Sequence, residues 1–191
     1  MNIKITPSSE FKKVLWKNGK GNTLELAKDD KDLANYSWRI SIATVSENGV
    51  FSNFSGYRRN QVLLKGDGIT LSIDGIDNES LNRNLTFLNY DGSCHTVGEL
   101  KGSAVQLFNV MSLAERFVDS VETFESLSEI SLKSARHCFI YGNKSQLKLM
   151  GSNGELLSLL NKGDLLHIEK LPKQRLLLQG EHMIVVYLND K

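Results

Sequence analysis

Short apolar or alternating runs recur along the whole chain at intervals of roughly ten residues, and the breaks between them are rich in Gly, Asn and Asp. A helix needs an apolar stripe repeating every three to four residues over at least three turns, whereas a half-buried strand needs only alternation over a handful. Runs this short and this closely spaced leave little room for helices. Trp38 to Val45 is the clearest strand, with Trp38, Ile40, Ile42 and Thr44 on one face and Arg39, Ser41, Ala43 and Val45 on the other. The more apolar face is expected to pack inside. Val62-Leu63-Leu64 and Ile69 to Ile73 flank Lys65-Gly66-Asp67-Gly68, whose glycines tolerate the backbone of a tight turn, so a hairpin is predicted there. Leu85 to Leu88 leads into a turn at Asp91-Gly92.

The second half repeats the pattern in His137 to Tyr141, Gln146 to Met150, Leu156 to Leu160, Leu165 to Glu169, Arg175 to Gln179 and Met183 to Leu188. Turns are expected at Ser152-Asn153-Gly154 and Asn161-Lys162-Gly163-Asp164. The whole predicts an all-β sandwich or barrel. One segment conflicts: Val110, Leu113, Ala114, Phe117, Val118, Val121 and Phe124 fit helical spacing, and Ser112-x-x-Glu115 has the form of a capping box. Against the surrounding rhythm, the expectation is at most a short helical turn around Ser112 to Arg116, followed by a strand. A boundary between lobes is placed there, giving residues 1–111 and 112–191.

Composition narrows the function by exclusion. With 23 Lys and Arg against 22 Asp and Glu the net charge is +1, and the densest charge cluster, Lys28-Asp29-Asp30-Lys31-Asp32, mixes both signs. That balance gives no footprint for nucleic acid. The first residues lack the apolar stretch of a secretion signal and no run is long enough to span a bilayer, so a cytoplasmic protein without membrane partners is expected. In a reducing compartment the two cysteines, Cys94 and Cys138, read as small hydrophobes and not as a bridge or nucleophile.

Three local patterns carry a family resemblance. Trp16-Lys17-Asn18-Gly19-Lys20-Gly21-Asn22-Thr23-Leu24-Glu25-Leu26-Ala27 is one. Trp38-Arg39-Ile40-Ser41-Ile42-Ala43, followed by Gly49-Val50-Phe51-Ser52-Asn53-Phe54-Ser55-Gly56-Tyr57-Arg58-Arg59, is the second, and Phe108-Asn109-Val110-Met111 the third. Together they resemble the HutD/Ves family. Departures are Lys20 in place of a small residue, Ser55 in place of proline, Lys65 in place of an acid, and Leu113 where an arginine often stands. The resemblance implies two cupin-like, RmlC-like jelly-roll β-barrel lobes in one chain, a bicupin. It also implies a small-molecule binding or regulatory role, linked by context to histidine utilisation or stress response.

Metal-dependent cupins hold their ion with a His-x-His pair, a nearby glutamate and a distant third histidine, because converging imidazoles must project from alternate positions of one strand. Here His95, His137, His167 and His182 are isolated, so no metal and no cofactor is expected. Neither a Gly-x-Ser-x-Gly elbow nor a phosphate-binding glycine loop of the usual spacing occurs.

The face of Trp38–Val45 carrying Arg39, Ser41 and Ala43 offers one long cation followed by two small side chains, which leaves room for a ligand. Arg59 can add a second cation, and a guanidinium fork suits a carboxylate. Asn18 and Asn109 present amides, Thr23 and Ser41 hydroxyls. The expected ligand is a small polar metabolite bearing a carboxylate or amide, held by Asn18, Thr23, Glu25, Arg39, Ser41, Arg59 and Asn109, with glutamate-like products of histidine breakdown as first candidates. The alternative is a metal-independent isomerase or hydrolase with Glu25 as general base, which needs that carboxylate inside the cavity with its pKa raised by burial. Pairing of exposed strand edges would allow a homodimer.

Overall fold

A computed structural model describes residues 1–16, 21–29, 36–77, 80–173 and 176–191. They form an all-β chain whose helical content is a single 3-10 turn at Ser8–Glu10. In chain order the strands are β1 (Asn2–Thr6), β2 (Lys12–Leu15), β3 (Gly21–Lys28), β4 (Trp38–Val45), β5 (Gly49–Val50), β6 (Tyr57–Lys65), β7 (Ile69–Ile73), β8 (Ile76–Asp77), β9 (Phe87–Asp91) and β10 (Thr96–Leu100). They continue with β11 (Val105–Leu113), β12 (Phe117–Phe124), β13 (Ser128–Ser131), β14 (Ala135–Gly142), β15 (Leu147–Met150), β16 (Leu156–Leu160), β17 (Leu165–Leu171), β18 (Leu177–Gly180) and β19 (Met183–Asp190).

The chain divides into two compact units. One is Phe11–Arg116; the other joins Met1–Glu10 to Phe117–Lys191. The division after Arg116 falls a little beyond residue 111, and the first ten residues go with the C-terminal half because β1 pairs antiparallel with β17, Asn2 opposite Glu169 and Thr6 opposite Leu165.

In the unit Phe11–Arg116 two antiparallel sheets, β2-β3-β4-β11-β6-β9 and β5-β10-β7-β8, enclose a core of Val45, Leu63, Tyr90, Val105 and Leu107 from the first and Ile69 and Leu71 from the second. In the other unit, sheets β1-β17-β14-β19-β12 and β13-β18-β15-β16 pack through Cys138, Ile140, Leu166, Ile168 and Val185 against Leu147, Leu149, Leu160 and Leu178. Alternation decides which face each strand buries: along β14, Cys138 and Ile140 enter this core while His137, Phe139 and Tyr141 point the other way. Both cysteines are free thiols, Cys138 buried and Cys94 half-buried.

One local expectation is corrected. Lys65–Gly68 is not a hairpin turn: β6 pairs with β11 and β9, and β7 with β10 and β8, so the turn carries the chain from one sheet to the facing one. Gly66 (φ +107°) and Gly68 (φ +119°) make the crossing, and a Cβ at Gly66 would lie 2.7 Å from the Ala104 carbonyl oxygen. The helical spacing from Val110 to Phe124 gives way, as expected, to a turn and a strand: Val110 and Leu113 lie on β11, paired with β4 and β6, and Phe117, Val118, Val121 and Phe124 on β12, paired with β19. The spacing is a coincidence of two strands joined across a turn, and neither strand repeats it alone. A single turn, closed by Arg116 N–H donating to Leu113 O at 3.1 Å, replaces the capping box, and β12 follows as a strand.

Candidate functional site

Between the two sheets of the Phe11–Arg116 unit lies a cavity of about 500 Å³. Its floor is set by strand register. Ser41, Asn109 and Gln61 lie directly opposite one another across β4, β11 and β6, and the neighbouring row two residues along is Arg39, Met111 and Arg59. All six line the cavity, as do Thr23 and Ala43. Side chains two residues apart share a face, so β4 presents Arg39, Ser41 and Ala43 here beside Val45 of the core between the sheets, while Trp38, Ile40 and Ile42 are buried on its opposite face. The walls are Trp16, Val50, Phe51 and Phe54, with Val14 and Leu15.

Trp16 is held by Gly21 and Thr23. Its N–H donates to Gly21 O at 3.0 Å, and its indole Nε1–H donates to Thr23 Oγ1 at 2.8 Å. A Cβ on Gly21 would sit 2.2 Å from Thr44 O and 2.9 Å from Trp16 Cζ3, so only glycine lets the ring lie there.

The two arginines differ in charge balance. Arg39 Nε lies 3.1 Å from Glu25 Oε2, and Lys28 Nζ stands 3.3 Å from the other oxygen of that carboxylate. Arg59 is 6% exposed and has no carboxylate partner among the described residues. Its guanidinium donates long hydrogen bonds to Ser52 O and Asn109 Oδ1, both at 3.4 Å, and lies 5.2 to 5.8 Å from the ring centres of Phe54, Tyr90 and Phe51. Its Nε has no hydrogen-bond partner among the described residues. Burial pushes its pKa below the ordinary arginine value, Tyr90 and Tyr36 pulling the other way. Facing rings stabilise a cation only in part, so this guanidinium keeps unspent capacity for an anion.

Asn109 links the rows by donating from Nδ2 to Ser41 Oγ at 3.5 Å. Thr23, Arg39, Ser41, Arg59 and Asn109 are therefore brought together around one cavity. Asn18 lies outside the described residues. Glu25 belongs to the ion cluster with Arg39 and Lys28 and is not among the lining residues, a position that suits a counter-ion better than a general base. Gln61, 1% exposed and with Oε1 unpartnered, is a lining residue that sequence reasoning missed; its spacing of two from Arg59 was the available signal.

The histidines are not all isolated in space. His137 Nδ1 and His167 Nε2 approach to 3.1 Å across β14 and β17, with Phe139 stacked on His167 at 4.3 Å between ring centres. The two strands are adjacent, and sequence spacing conceals that. Among the described residues no group of three or more His, Cys, Asp or Glu is arranged to hold a metal ion. No helix among them is long and apolar enough to cross a membrane.

Comparison with known proteins places these features. The HutD family model matches residues 8–186. An uncharacterised 21.2 kDa protein in the hutC 3' region of Pseudomonas putida is 28% identical over 155 residues, covering 81% of this chain and 80% of that protein. Protein Ves of Escherichia fergusonii is 27% identical over 164 residues, covering 75% of this chain and 85% of its own length. The structure of HutD from Pseudomonas fluorescens SBW25, solved in a formate condition, superposes with a TM-score of 0.82 at 23% identity over the full length of both chains. A cupin 2 conserved barrel domain protein from Leptotrichia buccalis superposes with a TM-score of 0.52 at 11% identity, covering 87% of this chain and 88% of that one, which makes the fold cupin-like.

Proposed function

This chain belongs to the HutD family, and from that membership together with the cavity we propose that it is a metal-free, cytoplasmic binding or regulatory protein for a small metabolite bearing a carboxylate or amide. Arg59 carries this reading. A buried guanidinium without a counter-ion is costly, and an incoming carboxylate supplies the missing charge in a geometry that matches the guanidinium fork. The cavity of about 500 Å³ falls in the range of small-molecule sites and combines apolar walls with a few convergent polar groups. In the same reading each unit is one cupin-like lobe and the chain a bicupin. The hutC-region relative directs the first ligand trials to glutamate-like acids of histidine breakdown.

The test is calorimetric titration with formate, the smallest carboxylate, into the wild type and Arg59→Met. Saturable binding by the wild type, weakened at least about tenfold in the variant, is expected from the loss of a charge-assisted pair. Absence of binding, or equal binding by both proteins, refutes the assignment.

A further inference from the structure

Gln61 presents a chemical demand that Arg59 does not. Its side chain is buried, lines the cavity, and leaves Oε1 without a hydrogen-bond partner among the described residues. Nothing beside it in the sheet answers that acceptor. Asn109, opposite on β11, spends its Nδ2 on Ser41 and its Oδ1 on Arg59; Leu88, opposite on β9, is apolar. Buried carbonyl oxygens are nearly always paired, because leaving one dry forfeits its hydration for nothing. An unpaired amide oxygen at the floor of a cavity is therefore a place for a donor to arrive.

We infer that the ligand carries an N–H or O–H donor that reaches Gln61 Oε1 while its carboxylate rests on Arg59. The inference rests on the reading of this cavity as a carboxylate site and adds a second point of recognition to it. Arg59 and Gln61 are two residues apart on β6 and share a face, which separates their backbone positions by about 6–7 Å. The donor thus belongs a few bonds along the molecule from the carboxylate, and the class is short hydroxy, amide or N–H-bearing acids. An acid of the same shape that ends in a methyl group would press an apolar surface on the unpaired oxygen and be rejected.

Matched pairs of short acids test this. Succinamate and glutaramate each carry a terminal amide; levulinate and 5-oxohexanoate replace the amide NH2 by CH3 and keep the carbonyl, chain and carboxylate. Titration into the wild type is expected to show at least one amide acid binding about tenfold more tightly than its methyl ketone, and Gln61→Met is expected to abolish the preference. Formate titrated into the wild type and Arg59→Met runs alongside. Equal affinity within both pairs, with formate still bound through Arg59, overturns the donor inference and leaves the carboxylate site standing. A preference that persists in Gln61→Met overturns it as well, and failure of formate to bind removes both readings.

Discussion

Arg39 and Arg59 flank Met111 in one cross-strand row, yet Arg39 is ion-paired with Glu25 while Arg59, among the described residues, meets aromatic rings and amide or carbonyl oxygens and no carboxylate. Their replacement should separate accordingly. Arg59→Met removes a buried charge that lacks a counter-ion, so its unfolding free energy is expected to stay level or rise by up to about 2 kcal/mol even as anion binding is lost. Arg39→Met breaks a partly exposed pair and should cost no more than about 1 kcal/mol. Chemical denaturation of the two variants beside the wild type decides the matter, and a strongly destabilised Arg59→Met would make that residue a structural element.

Gly98 controls the cavity from behind. A Cβ there would lie 2.7 Å from Phe51 Cε1 and 3.0 Å from Ile69 Cδ1, so Gly98→Ala must displace the Phe51 ring, which stands 5.8 Å from the Arg59 guanidinium. The variant should lose about 1–3 kcal/mol of stability through overpacking and bind formate severalfold more weakly. Unaltered formate affinity in a folded Gly98→Ala protein would show that Phe51 does not shape the site.

The crossover at Gly66 predicts a contrast between two glycines of positive φ. Gly66→Ala combines backbone strain with a clash against Ala104 O and Val105 and should cost about 3 kcal/mol or more, whereas Gly75, at φ +77° with open space around it, should lose only about 1–2 kcal/mol on the same change. Thermal and denaturant melts of the two variants give the ranking directly.

His167 makes stability depend on pH. Burial above all, then His137, lowers its pKa from 6.5 to about 4, with Lys4 adding to the effect and Glu169 opposing it. Between those two pH values the unfolded chain binds a proton that the folded chain does not, so the stabilisation is fully present above about pH 6.5 and is lost as pH falls toward 4. After allowance for partial exposure the loss by pH 4.5 should be roughly 2 kcal/mol. His167→Phe, which keeps an aromatic ring beside Phe139, should flatten the profile measured by denaturation between pH 7 and 4.5. An equally steep profile in the variant would place the dependence elsewhere.

Much of this architecture could be read directly from alternation. Trp38–Val45 divides its residues between a buried apolar face and the cavity face as its period of two requires, and most strands of the C-terminal half fall where apolar runs fall. What alternation cannot carry is partnership. Nothing in Lys65–Gly68 says whether the next strand returns to the same sheet or enters the facing one, because the glycines permit either path. The helical spacing of Val110 to Phe124 misleads for the same reason: it runs from β11 through a turn into β12, and the partners that make both segments strands are invisible locally. At the site, Arg39, Ser41, Arg59 and Asn109 were accessible through motif and spacing, but the orphaned oxygen of Gln61 depends on what Asn109 does with its own amide, a fact of register and rotamer.

The pairing of β1 with β17 also bears on the order in which the chain can fold. During synthesis Asn2–Thr6 is made before the strand it joins, which follows only after Phe11–Arg116 and most of the remainder exist. The Phe11–Arg116 unit has both of its sheets in one continuous stretch and can close early, while the opening strand waits as an unpaired ribbon for a non-local contact. Until it docks, β17 has a bare edge, the kind of surface on which strands of other molecules add. Once it docks, the edge passes to β1 itself, a five-residue strand with Asn2 and Lys4 exposed, and a short, charged edge resists such addition.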